Sequence, residues 1–227
     1  MRTTIFSWLD HEFVALSAEA PPGASATEES ERLFRRFENE LAGFGLSLDH
    51  TVRTRLWGRD RQSRDLGSQV RVKVLSGKAR SASSSYISPV HFDSAAKVAL
   101  DLLAMRPSRP DSRKNVVEYD PPIVPIRFLV YESLVVLSGV TAVLPSIEAQ
   151  LDDILPRIEA SLRDAGSSWD RAAKVSFFLH RSQRFESLKE LFHRRVGVRI
   201  PEVEYCHVDG YSAEGKLCEI EVTATSL

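Results

Sequence analysis

An α+β fold made of two tandem copies of one unit is what this 227-residue sequence predicts. Each copy reads as a mixed β-sheet with two helices packed on one face. Three observations carry the prediction. At roughly 100–200 residues per domain, the length allows one large domain or two small ones. Near the middle lies Arg106-Pro-Ser-Arg-Pro-Asp-Ser-Arg113, whose proline, serine and charge disfavour helix and strand and suit a linker. The flanking halves resemble each other at an offset of roughly 120 residues, which marks a repeated unit. The expected segments are 1–107, a linker at 108–112, and 113–227.

The elements recur in the same order in both halves. EFVALSA at 12–18 and SLVVLSG at 133–139 are strand-like runs ending in Leu-Ser and a small residue. A helix follows each. From Ser25 to Leu41, Leu33, Phe37 and Leu41 fall on one face; from Ser146 to Ala165, Ile147, Leu151, Ile154, Leu155, Ile158 and Leu162 do the same. Gly43 and Gly166 stand where a helix end favours a positive φ. TVRTRLW at 51–57 and AKVSFFL at 173–179 then read as strands. A second helix is clear in the later half (Phe185, Leu188, Leu191, Phe192, Val196) and weaker in the earlier one. AKVALDLLA at 96–104 and KLCEIEVTA at 216–224 close the two halves, giving β-β-α-β-α-β-β in each. Asp209-Gly210 reads as the turn of a hairpin between YCHV and the closing strand.

Composition excludes several classes. The formal net charge is −1, from 30 Lys+Arg and 31 Asp+Glu, which argues against nucleic-acid binding by bulk electrostatics. This balance conceals a basic first half and an acidic second half. No apolar run reaches the length of a membrane span, and Asp10 and Glu12 come too early for a signal peptide, so the expectation is a cytoplasmic protein. The two Cys form no CxxC, and the six His make no HxH, HExxH or Cys/His zinc spacing, so no metal motif is read from them. His207 beside Cys206 is not read as a dyad, because neighbours on a strand point to opposite faces. Cys218 lies on an apolar strand as a small core residue. Arg53, Arg55 and Trp57 share one strand face, read as a solvated or interface face balanced by acids elsewhere, with single-stranded nucleic acid as the alternative.

The ordered set of motifs resembles the Rid/YjgF family, whose fold is called chorismate-mutase-like. LVVLSG at 134–139, the Asp-Ala-Gly helix end, Ser168-Trp-Asp170, KVSFFL at 174–179 and CEIEVTA at 218–224 follow the family order; Ala79-Arg80-Ser81 resembles its Ala-Arg-Ser signature. The resemblance implies a deaminase that adds water to a small carboxylated imine or enamine and releases ammonia, in a pocket between subunits of a homotrimer, with no metal or organic cofactor. The signature Arg would hold the carboxylate through paired charge-assisted hydrogen bonds, and a Glu on the closing strand would place the water. Carried over, this makes Arg80 and Glu219 catalytic, and Arg80, Ser81, Gly139, Tyr205 and Glu221 substrate-binding.

The equipment is divided unequally. The first half has Arg80 but Ala99 and Asp101 at the acidic positions; the second has Glu219 and Glu221 but Val203 at the Arg position. Arg80 from one domain and Glu219 from another meeting across an interface is one reading, drift to dead or repurposed pockets the other. Glu219 and Glu221 are two apart on one strand face, so their mutual repulsion raises at least one pKa and lets that group act as an acid near neutrality. A chorismatase-like enzyme on a small cyclic carboxylate and a non-catalytic ligand- or partner-binding protein are the alternatives, with ribonuclease activity behind them. The expected partners are a small carboxylate-containing molecule and further copies of the chain, with a trimer favoured and no membrane.

Overall fold

A computed structural model describes residues 1–226; Leu227, the last residue of the expected second segment, lies outside the described residues. The first half runs β1 (Arg2–Trp8), β2 (His11–Glu19), α1 (Ala26–Gly43), β3 (Thr51–Gly58), α2 (Arg61–Val74), β4 (Ala82–Ile87) and β5 (Val98–Arg106). The second runs β6 (Lys114–Val117), β7 (Phe128–Tyr131), β8 (Leu134–Leu137), β9 (Val140–Thr141), α3 (Ile147–Asp164), β10 (Ala172–His180), α4 (Phe185–Val196), β11 (Glu202–Val208) and β12 (Cys218–Thr225). The first five strands form one sheet, ordered β1-β2-β5-β3-β4; the rest form a second, ordered β11-β10-β12-β8-β7-β6, with β9 beside β12.

Local chemistry sets these elements. Leu9 and Asp10 both take positive φ, which closes the tight β1–β2 hairpin. Ser25 caps α1 by accepting from the Glu28 N–H at 3.2 Å, and Ser146 caps α3 by accepting from the Ala149 N–H at 3.1 Å. Leu33, Phe37 and Leu41 of α1, and Leu151, Ile154, Ile158 and Leu162 of α3, are buried against their sheets. Gly166 has the expected positive φ, but Gly43 lies inside α1 and Gly45 (φ 69°) makes that exit instead.

Strand alternation divides each sheet into a helix-covered and a helix-free face. On β5, Val98, Leu100, Leu102 and Ala104 join the core under α1 and α2. On β12, Cys218, Ile220, Val222 and Ala224 do so under α3 and α4. The two helix-free faces meet. There Phe13, Val52, Ala82 and Met105 of the first domain pack with Ile126, Leu129, Tyr131, Leu134 and Val136 of the second.

The hairpin expected at Asp209-Gly210 does not form. β11 runs parallel to β10, and β10 separates it from β12, because both edges of β12 are taken by β10 and by β8 with β9. The Gly210 carbonyl instead accepts from the Ile87 N–H at 2.8 Å, a backbone link between the domains.

Candidate active site

The interface between the helix-free faces holds a buried cluster of charge. Glu221, on the inner face of β12, is fully enclosed. Arg55 of β3 grips its Oε2 through Nε (3.0 Å) and Nη2 (2.8 Å), and Arg53 adds Nη1 at 3.1 Å. The Tyr86 hydroxyl donates to Oε1 at 3.0 Å, and the Ser84 hydroxyl donates to the same atom. Burial alone would raise this carboxyl, but the two guanidinium groups outweigh it and hold Glu221 down at about 2. Arg55 also bonds Glu204 at 2.9 Å and Ser176 at 3.0 Å. The Arg53/Arg55 face is therefore an interface face neutralised by acids of the other domain. Such a desolvated pair is costly to break from one side.

Glu219 sits two residues earlier on the same face and has the opposite character. It is 5 % exposed, and among the described residues its side chain meets one polar partner, Tyr86 Oη at 3.4 Å, whose single proton goes to Glu221, so that the protonated Glu219 carboxyl is the donor of this pair. Burial pushes its carboxyl up to about 7, and the Glu221 charge adds to this, against the pull of Lys216, Arg64 and Arg71. Two neighbouring carboxyls thus split apart in acidity: one is held ionised by its guanidinium partners, while burial shifts the other toward neutral pH. Gly139 makes room for it. A Cβ there would lie 1.8 Å from Glu219 Oε1 and 2.6 Å from its Cδ. Tyr86, which touches both carboxyls, is held by stacking on Phe178 at 4.0 Å and 16°.

Glu219 opens into a cavity of about 290 Å³ between the domains. Arg64 and Arg71 of α2 and the serines of β4 form one wall; Gly139, Lys216 and Glu219 form the other, with Tyr119 and Ile123–Pro125 at the mouth. Arg64 is occupied by Asp65 at 2.6 Å and Arg157 by Asp153 at 2.8 Å. Arg71 and Lys216 are different. The buried Arg71 donates to the Ser84 carbonyl and, at 3.4 Å, to Ser68 Oγ; burial, helped by Arg64, pushes it down to about 10. Lys216 donates to Ser212 Oγ at 2.6 Å. Neither has a carboxylate partner among the described residues. Two cations without counter-ions beside a protonatable carboxyl make a site suited to a small anion. A larger groove, about 400 Å³, opens beside β1, but its cations are already matched: Arg55 by Glu221 and Glu204, Lys174 by Glu202 at 2.5 Å.

Of the residues singled out in the sequence, Glu219, Glu221 and Gly139 come together here. Arg80 does not join them within the chain. It precedes β4 and forms a bidentate pair with Glu118, both bonds 2.9 Å. Strand register explains the displacement: Ser83 pairs with Thr54 as Val203 pairs with Val175, so Ser83, not Arg80, is the counterpart of Val203. Ser81 is buried with its hydroxyl unpaired, outside the cavity lining. Tyr205 lies on β11 at the surface, stacked on Phe177 at 5.4 Å. Arg71, Lys216 and Tyr86 are the site residues that sequence reasoning missed. Among the described residues no group of three or more His, Cys, Asp or Glu is placed to hold a metal, and no helix is long and apolar enough to cross a membrane.

The chain is similar in fold to a solved chorismatase: the likeness covers 94% of this chain and 74% of that one, with a TM-score of 0.68 at 13% identity. Shorter solved chains match about half of the chain each. Rv2704 of Mycobacterium tuberculosis, a member of the YjgF/YER057c/UK114 family, is 26% identical over 49% of this chain and 98% of its own (TM-score 0.45). Yeast Mmf1 is 19% identical over 50% and 99% (TM-score 0.46). No family model and no curated protein matches the sequence.

Proposed function

We propose that the chain is an enzyme that binds a small carboxylated substrate between its domains and hydrolyses it with Glu219 as the proton carrier. One observation carries this: an enclosed carboxyl pushed up to about 7 faces a cavity of about 290 Å³ with two cations that lack counter-ions. Arg71 and Lys216 take the substrate carboxylate, the role that the resemblance gave to Arg80. In its ionised form Glu219 removes a proton from water as the oxygen bonds to an imine carbon. In its protonated form it returns that proton to the nitrogen, giving a carbinolamine; the regenerated carboxylate then takes the hydroxyl proton as the C=O forms and passes it to the nitrogen as the C–N bond breaks, so that ammonia and a 2-keto acid leave and Glu219 is again ionised. A group near neutrality suits both halves of such a cycle.

The two-domain likeness supports a second reading, a chorismatase-like hydrolysis of a cyclic carboxylate. Both are tested on one protein preparation. Imines are generated in situ by an amino acid oxidase and their decay followed; chorismate is supplied separately and its products separated. Acceleration of either reaction over buffer, lost in Glu219→Gln and weakened in Arg71→Ala, supports the proposal. No acceleration of either, with a ligand-free cavity in the presence of pyruvate, 2-ketobutyrate and benzoate, overturns it.

A further inference from the structure

We propose that β1 is a docking edge for a second copy of this chain, which pairs with it antiparallel across a two-fold axis and joins two five-stranded sheets into one. β1 is the outermost strand of its sheet, hydrogen-bonded to β2 alone, so alternate N–H and C=O groups along its seven residues face outward. Edge strands are ordinarily blunted by an inward charge, a proline or a bulge. β1 has none of these: its register with β2 is unbroken from Arg2 to Trp8, and Thr3 to Trp8 carry neither charge nor proline.

Both faces of this strand are only partly covered as well. The Thr3 hydroxyl reaches Glu40 of α1 at 2.8 Å, but Ile5, next on that face, is 52 % exposed, because α1 does not extend over it. On the other face Phe6 stacks on Phe13 at 5.5 Å and is still 36 % exposed. A strand uncovered on its edge and only partly covered on both faces leaves apolar side chains in water that a paired strand would cover.

The charges flanking β1 choose the occupant and its direction. Arg2 stands at one end and Asp10 just past the other; both are exposed, and neither has an ion pair among the described residues. Antiparallel pairing with an identical strand puts Arg2 of each copy beside Asp10 of the other, twice. Parallel pairing would put like beside like. The same register sets Phe6 opposite Phe6 of the other copy at the two-fold axis and Ile5 opposite Ser7, with the two Ile5 side chains diagonal neighbours on one face, as an isologous interface allows. The interface leaves the cavity at Glu219 untouched, so it is independent of the proposed activity.

Sedimentation velocity on the full chain, over concentrations of order 1 to 100 µM, tests the proposal. The expected species has twice the 25.4 kDa of one chain. Ile5→Lys, at an exposed position, shifts it to one chain, and Arg2→Glu weakens association by about tenfold through repulsion from Asp10 of the second copy. Unchanged near-ultraviolet circular dichroism shows that either variant stays folded. A one-chain mass at the highest concentration, a three-chain mass, or a dimer indifferent to Ile5→Lys would overturn it.

Discussion

Replacing Glu219 by Gln should make the protein more stable, and only above a certain pH. The carboxyl is enclosed, shares Tyr86 Oη with Glu221, which takes its proton, and lies near the Glu221 charge, so its ionised form is disfavoured in the folded chain. A rise from the ordinary 4.5 to about 7 corresponds to about 3 kcal/mol. Between those two values the folded state keeps a proton that the unfolded chain has released, so stability falls as pH rises through this window. The amide of the Glu219→Gln variant resembles the protonated carboxyl and does not titrate. The variant and wild type should therefore be nearly equal in stability near pH 4. They should diverge above that, until the variant leads by about 3 kcal/mol at pH 8. Urea denaturation of both proteins at pH 4.5, 6 and 8 reads this difference directly, and all other titrations cancel in it. A constant gap across these values, or a variant that is less stable at pH 8, would refute the assignment of Glu219 as the near-neutral group.

Further expectations follow from the same cluster. Arg55→Met strands Glu221 in the interface and should cost about 3–5 kcal/mol in urea denaturation at pH 7. Glu221 contributes in the opposite pH sense to Glu219. Its stabilisation, about 3 kcal/mol from a fall of 4.5 to about 2, is present above pH 4.5 and lost as the pH drops through about 2, so in urea denaturation Glu221→Gln should trail wild type by about 3 kcal/mol above pH 4.5, with the gap closing as the pH falls toward 2. Gly139→Ala cannot keep Glu219 where it is. It should lower activity by about 100-fold while costing only about 1–3 kcal/mol of stability, measured by steady-state kinetics and thermal denaturation.

The repeat was legible because paired segments kept both their periodicity and their spacing, and the two chains of elements were read correctly along most of their length. Glu219 and Glu221 were legible for a related reason: charges on the inward face of an apolar strand need partners. Arg71 was not. Arg61–Val74 mixes basic, serine and apolar residues around the helix, so its sequence does not show which side meets the second domain. Arg80 was misplaced by a short motif that matched three residues ahead of the strand position its duplicate occupies. The Asp209-Gly210 turn looked like a hairpin because turn chemistry is local, whereas the choice between β10 and β12 as a neighbour for β11 is made by the whole sheet.

The segment at 107–113 joins β5, ending at Arg106, to β6, starting at Lys114. Its shortness has a kinetic consequence. Glu219 belongs to one domain and Arg71 to the other, so the cleft needs both, yet neither can diffuse away. A short tether keeps each domain at an effective concentration of order millimolar around its neighbour. Dilution to nanomolar chain should therefore leave turnover per molecule unchanged, even where copies joined through β1 come apart. Under the proposed function, the two like units of each polypeptide thus share one cleft whose assembly does not depend on abundance.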